Sequence, residues 1–195
     1  MSDAFSNLLS GFIGAAVGGV CSVGAVIVQS WLNKRAAQRE EHRIIDAFLG
    51  AVLDEFEVLW PIYLSRMGHR LEALPEGQPL LYYYPVLPDV FIVYTSNATL
   101  VPRIADPDLR RLVVRTIMQM RGLIASYRLN NDFTREVEGL AQLFQRTKDP
   151  EVQRHLHEVH ARSAEYANGL RTGHSELKTQ IEEKLIPALR RHLRR

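Results

Sequence analysis

Three histidines crowd one short stretch, His155, His157 and His160, with Glu151 and Glu158 beside them. His157-Glu158-Val159-His160 is one residue short of H-E-x-x-H, where two histidines one full turn apart hold zinc and the glutamate acts as general base. At i,i+3 His157 and His160 still share a helix face, but the motif's geometry is lost. The stretch reads as the solvated polar face of a long helix, and no catalytic residue and no metal ligand is assigned to it. Cys21 is the only cysteine and lies in an apolar run, which leaves no disulfide framework and no cysteine metal site within one chain. There is no G-x-S-x-G, no P-loop and no dinucleotide fingerprint. The chain is expected to act by binding rather than catalysis, and to need no cofactor.

Arg154 and His160 also fit the loose Arg-to-His spacing of HEPN-type ribonucleases, which are helical. Arg35 and His42 fit it equally, at a position that makes no sense for catalysis. With 24 Lys and Arg and 7 His, chance matches are expected. A membrane-tethered ribonuclease of that kind is therefore kept as a second alternative, resting on fold analogy. A formal net charge of +2 does not by itself imply nucleic acid, which is not expected as a partner. The basic cluster Arg190-Arg191-His192-Leu193-Arg194-Arg195 suits a helix C-terminus, and the anionic inner leaflet or nucleic acid is the other surface it could meet.

What must position these residues begins with Ala4 to Asn33, which holds no charged residue. A bilayer core about 30 Å thick takes roughly 20 residues of helix to cross, and only this stretch is long enough. It is rich in small residues. Gly14 and Gly18 form a G-x-x-x-G pair that Ser10 and Ser22 extend at the same spacing. Gly11, Gly14, Gly18, Cys21 and Ala25 line one heptad seam. In lipid, close backbone approach at small residues drives helix association, so this seam is the expected oligomerisation face. A secretory signal peptide would carry its basic residues before the apolar run, not after it. A lipoprotein site at Cys21 would need a smaller residue than Val20. Lys34, Arg35, Arg39 and Arg43 follow the span as a membrane-surface basic flank. They place the C-terminal side in the cytoplasm and the N-terminus outside.

Beyond the span about 160 residues remain, enough for one domain with a real core. From Lys34 to Leu74 the apolar residues step at helical spacing: Ile45, Phe48, Leu49, Val52, Leu53, Phe56, Leu59, Trp60, Tyr63, Met67, Leu71 and Leu74. Pro61 should kink or restart this helix, and Leu74-Pro75-Glu76-Gly77 should end it. Leu80 to Ile104, with Tyr82-Tyr83-Tyr84 and three prolines, reads as an ordered linker with one or two short helical turns. Its aromatics are read as packing. Asp106-Pro107 and Asp149-Pro150 are helix starts, with Asp as N-cap and Pro at the first position. Asn130-Asn131-Asp132 should end the first helix, and a shorter one should carry Val137, Leu140, Leu143 and Phe144. The last helix, from Asp149, should be weakened at Gly169 and Gly173 and kinked at Pro187.

The expected fold is therefore all-α, an N-terminal transmembrane helix continuing into a cytosolic antiparallel helical bundle. Its parts are an anchor (1–33), an amphipathic stalk (34–74), an aromatic and proline-rich linker (75–105) and a helical hairpin that completes the bundle (106–195). The glycine-rich span with its basic flank, Phe91-Ile92-Val93-Tyr94-Thr95-Ser96-Asn97 and Asp106 to Asn131 together resemble a loose group of small bacterial single-pass membrane proteins with a cytosolic helical domain. The resemblance covers the first two-thirds of the chain and implies a bacterial inner-membrane setting but no activity. The expectation is a self-associating, membrane-anchored interaction or regulatory protein. Its partners would be the lipid bilayer, further copies of itself and an unknown cytosolic protein. The first alternative is an oligomeric pore or membrane-disrupting effector, related to phage defence.

Overall fold

The computed structural model describes residues 2–86 and 90–194, with side chains from residue 29 onward. Helix α1 runs from Ser2 to Tyr63, passes through a π-helical turn at Leu64–Gly68 and continues as α2, His69–Ala73. A strap, residues 74–106, carries the short helix α3 (Ile92–Ser96) and a 3-10 segment (Ala98–Arg103). Then come α4 (Pro107–Thr147), α5 (Pro150–Thr179), a second π-helical turn (Gln180–Leu185) and α6 (Ile186–Leu193). Among the described residues there is no strand, and the chain is an all-α helical bundle. No helix among them is long and apolar enough to cross a membrane. The uncharged stretch expected to do so, residues 4–33, lies outside the described side chains up to residue 28. The chain divides into two compact units, Met1–Asp46 and Ala47–Arg195.

In the second unit, α4 and α5 are joined by only two residues and run antiparallel. Phe133 meets Tyr166 (ring centroids 5.5 Å apart) and Gln180 reaches Thr116 (2.8 Å). The α1 segment is also antiparallel to the α5–α6 run, pairing Glu72 with Lys178, Trp60 with Glu182 and Glu57 with Arg190. Being antiparallel to the same run, α1 and α4 are parallel to each other, and the strap makes the return between them. From Phe48 onward the apolar stripe read in the sequence becomes core. Phe48, Leu49, Val52, Leu53, Phe56, Trp60, Tyr63, Met67 and Leu71 are all buried, while Leu59 and Leu74 are partly exposed. Each such side chain contributes roughly 1.5–3 kcal/mol by leaving water.

The two Asp-Pro starts form as their residue types dictate. Asp106 accepts hydrogen bonds from the backbone N–H of Asp108 (2.9 Å) and Leu109 (3.1 Å), and Asp149 from that of Glu151 (2.8 Å). Each cap satisfies N–H groups that the helix itself cannot. α4 ends at Lys148, whose left-handed backbone (φ 56°) lets its N–H close on Phe144 O at 2.8 Å.

One local expectation is corrected. α4 does not stop at Asn130-Asn131-Asp132 but is one helix to Thr147. Both asparagine side chains turn to the strap instead. The Asn131 amide takes the backbone N–H of Tyr84 (2.9 Å) and gives to its carbonyl (2.8 Å), as a paired strand would. Asn130 Nδ2 donates to Tyr82 O (3.1 Å), and the Thr134 hydroxyl is shared between Asn130 O (2.9 Å) and Leu80 O (3.4 Å). An extended segment with no partner strand thus finds its hydrogen bonds on a helix face. At Pro61 the expected irregularity comes one turn later. The helix runs two residues past it, and the missing N–H is followed by the wider π turn at Leu64–Gly68. Pro187 likewise sits just after the second π turn, inside α6. Gly169 and Gly173 lie within an unbroken α5, where Gly173 lies alongside Leu123.

Candidate functional site

The strongest concentration of polar chemistry lies in the core, where α1, α2, α4 and α5 meet. Tyr63 on α1 places its Oη 3.0 Å from Tyr127 Oη on α4 and 3.0 Å from Nδ1 of His174 on α5. His174 Nε2 lies 3.2 Å from Glu72 Oε1, which also takes Lys178 Nζ at 2.6 Å. The other carboxylate oxygen of Glu72 takes His69 Nδ1 at 3.0 Å. His174 is sandwiched against Trp60 (6.1 Å, 22°) and Tyr63 (5.7 Å), while Tyr84 of the strap rests on Tyr127 (4.8 Å). Room for the imidazole comes from the π turn. A Cβ on Gly68 would stand 3.0 Å from His174 Cε1 and 2.8 Å from Leu64 Cδ2, so only glycine lets the ring in without a shift.

The electrostatics order the chain of hydrogen bonds. Glu72 is partly exposed, and its bonds from Lys178, His69 and His174 lower its pKa from 4.5 to about 2. An ionised carboxylate only accepts, so His174 Nε2 carries a proton. In the neutral ring Nδ1 then accepts from Tyr63 Oη, which in turn accepts from Tyr127. Burial raises both phenols well above their ordinary range, so they stay protonated as donors. Acceptor, imidazole and hydroxyl stand in the order of a catalytic triad. The hydroxyl end is sealed, however, with Tyr63 2 %, His174 1 % and Tyr127 0 % exposed. What this arrangement does is fix three helices in one register, since any slip would leave buried donors and acceptors unpaired.

This network has a pH signature. The folded-state pKa of Glu72 lies below its ordinary value, so its contribution is whole above about pH 4.5 and is lost as the pH falls toward 2. Glu72→Gln should flatten the fall in stability across that window, read as the unfolding midpoint against pH. A variant as acid-sensitive as the wild type would remove Glu72 from control of acid stability.

The residues singled out in the sequence fall elsewhere. His155 and His157 are exposed and His160 is half-buried on α5. His155 lies 3.7 Å from Glu136 and 3.8 Å from Glu158 at the surface. Among the described residues no group of three or more His, Cys, Asp or Glu side chains could hold a metal ion. Arg154 pairs with Glu151 (3.4 Å). Six residues along a helix put His160 about 120° round from it, so the Arg-to-His spacing does not join the two on one face. Lys34, Arg35, Arg39 and Arg43 are all exposed on α1, with Arg35 over the ring of Trp31 (3.9 Å) and Arg43 beside Glu40 (3.7 Å). The seam residues Gly11, Gly14, Gly18, Cys21 and Ala25 lie outside the described side chains. In the C-terminal basic cluster, Arg190 is drawn back onto Glu57 by two bonds of 2.7 and 3.1 Å. Tyr82 packs under Arg70 (4.1 Å) and Tyr83 donates to Glu138 (2.8 Å), so these linker aromatics make contacts within the bundle.

His174 escaped the sequence reading. It fills the i+4 position between Leu170 and Leu177, both on the buried stripe of α5, and a histidine there is the one available signal. Comparison of the chain with family models, with curated proteins and with solved structures finds no match.

Proposed function

We propose that this chain is a membrane-anchored, self-associating interaction protein whose helical bundle acts in the cytoplasm by binding. One observation carries the reading: the uncharged run from Ala4 to Asn33, followed at once by Lys34, Arg35, Arg39 and Arg43. The run is long enough to span, and its one-sided basic flank sets the orientation. The exposure of all four basic residues is compatible with a headgroup contact. Among the described residues the triad-like constellation of Glu72, His174 and Tyr63 is buried at its hydroxyl end, which favours binding over catalysis. The glycine seam supports self-association, and an oligomeric pore is the alternative that the same seam favours.

Orientation is tested with reporters fused after Arg195. One active only in the cytoplasm should work, and one active only in the periplasm should stay silent. The reverse pattern would place the bundle outside and overturn the cytoplasmic assignment.

A further inference from the structure

A second feature lies on the solvent side of the bundle. The 3-10 segment Ala98–Arg103 and the first turns of α4 leave an open groove of about 1000 Å³, whose lining includes Val101, Pro102, Leu112 and Val114. Arginines stand around this apolar surface. Arg110 donates to the carbonyls of Pro102 (3.2 Å) and Ile104 (3.0 Å), which are neutral acceptors. Arg111 is paired with Asp108 at 2.5 Å. Arg115 lines the groove and has no charged partner among the described residues. Arg111, Val114, Arg115 and Met118 recur at i, i+3, i+4 and i+7, so cation and apolar side chain alternate along one face of α4. Met118 is 53 % exposed, an uncovered apolar side chain on that face.

This pattern matches an amphiphile with an anionic head. Guanidinium groups take phosphate oxygens, and the adjoining apolar wall takes the first carbons of an acyl chain, as on membrane-surface helices. We propose that this face of the bundle is a docking surface for anionic phospholipid. The inference rests on the anchored reading, because a tether to the bilayer turns weak arginine–phosphate contacts into effectively intramolecular ones. Docking would make the bundle's exposure to its cytosolic partner depend on lipid charge.

The test uses the full chain with Cys21→Ser and Met118→Cys, an environment-sensitive fluorophore on the new thiol, and vesicles of phosphatidylcholine with or without phosphatidylglycerol. The chain should float with both kinds of vesicle. Emission should shift to the blue only where phosphatidylglycerol is present, and high salt should reverse the shift. Arg115→Gln should lower the docked-to-free ratio about fivefold, and Asp108→Asn, which releases Arg111, should raise it by a similar factor. Helicity measured alongside shows that both variants stay folded. A chain that floats but keeps water-like emission on phosphatidylglycerol overturns the docking surface. So does a shift indifferent to both substitutions. A chain that fails to float with phosphatidylcholine counts against the span instead, and its emission on phosphatidylglycerol vesicles still reads the groove. A blue shift given by an acidic amphipathic peptide, and not by lipid, would reassign the groove to a protein partner.

Discussion

Replacing His174 by alanine should lower the stability of the bundle by about 3–5 kcal/mol. The substitution opens a cavity beside Trp60 and Tyr63, a loss on the scale of other large-to-small core changes. It also strips the buried Tyr63 hydroxyl of its imidazole acceptor, and a buried donor left without an acceptor costs about 1–3 kcal/mol. Tyr127→Phe removes only the last hydroxyl of the chain and should cost about 1 kcal/mol. For a domain of this size the histidine variant should melt roughly 10 °C lower. Thermal unfolding of the detergent-solubilised chain, followed by near-ultraviolet circular dichroism, compares the two. Equal losses would mean that His174 does not sit at the centre of the network.

Oxidative crosslinking in membranes should give a dimer band through Cys21, and Gly14→Leu combined with Gly18→Leu should abolish it. One helical turn separates the two glycines in the sequence, so in the proposed association both would face the same neighbour. A leucine there holds the backbones apart and removes the packing contacts that drive association in lipid. Cys21 belongs to the same heptad seam, so like seams brought face to face bring the two thiols together. Insertion should survive, because leucine favours the bilayer more than glycine does. A double variant that crosslinks as well as the wild type moves the interface off the glycine seam. If the wild type is also monomeric in detergent, the pore alternative loses its main support.

The periodic features of the bundle were legible because each depends on residues close in sequence. The stripe from Phe48 to Leu71 and the Asp-Pro starts at 106 and 149 are such features. So is the linker with short helical turns, which appears as α3 and the 3-10 segment. What stayed hidden depends on partners far apart. Asn130 and Asn131 look like a helix stop until the strap supplies the backbone groups that their amides satisfy. His174 looks like one more polar residue until Tyr63, 111 positions away, meets its Nδ1. Gly68 carries no local sign that an imidazole from α5 needs its missing side chain. The buried Phe91, at φ 66°, is equally silent in sequence. It is held there by Phe56 (5.0 Å) and by Glu55, whose carboxylate takes the N–H groups of Val93 (3.0 Å) and Tyr94 (3.3 Å). Periodicity shows which face is buried, but not which buried polar group meets which.

The most direct test of the anchor is alkaline extraction of membranes containing the full chain, beside a Val17→Lys, Val20→Lys variant. Two lysines near the middle of a span cost about 5–7 kcal/mol of insertion free energy, enough to reverse a marginal insertion. The wild-type chain should stay in the membrane pellet while the double-lysine chain moves to the supernatant. Release of the wild type at alkaline pH would contradict the membrane span, and with it the reading of this protein as an anchored helical bundle.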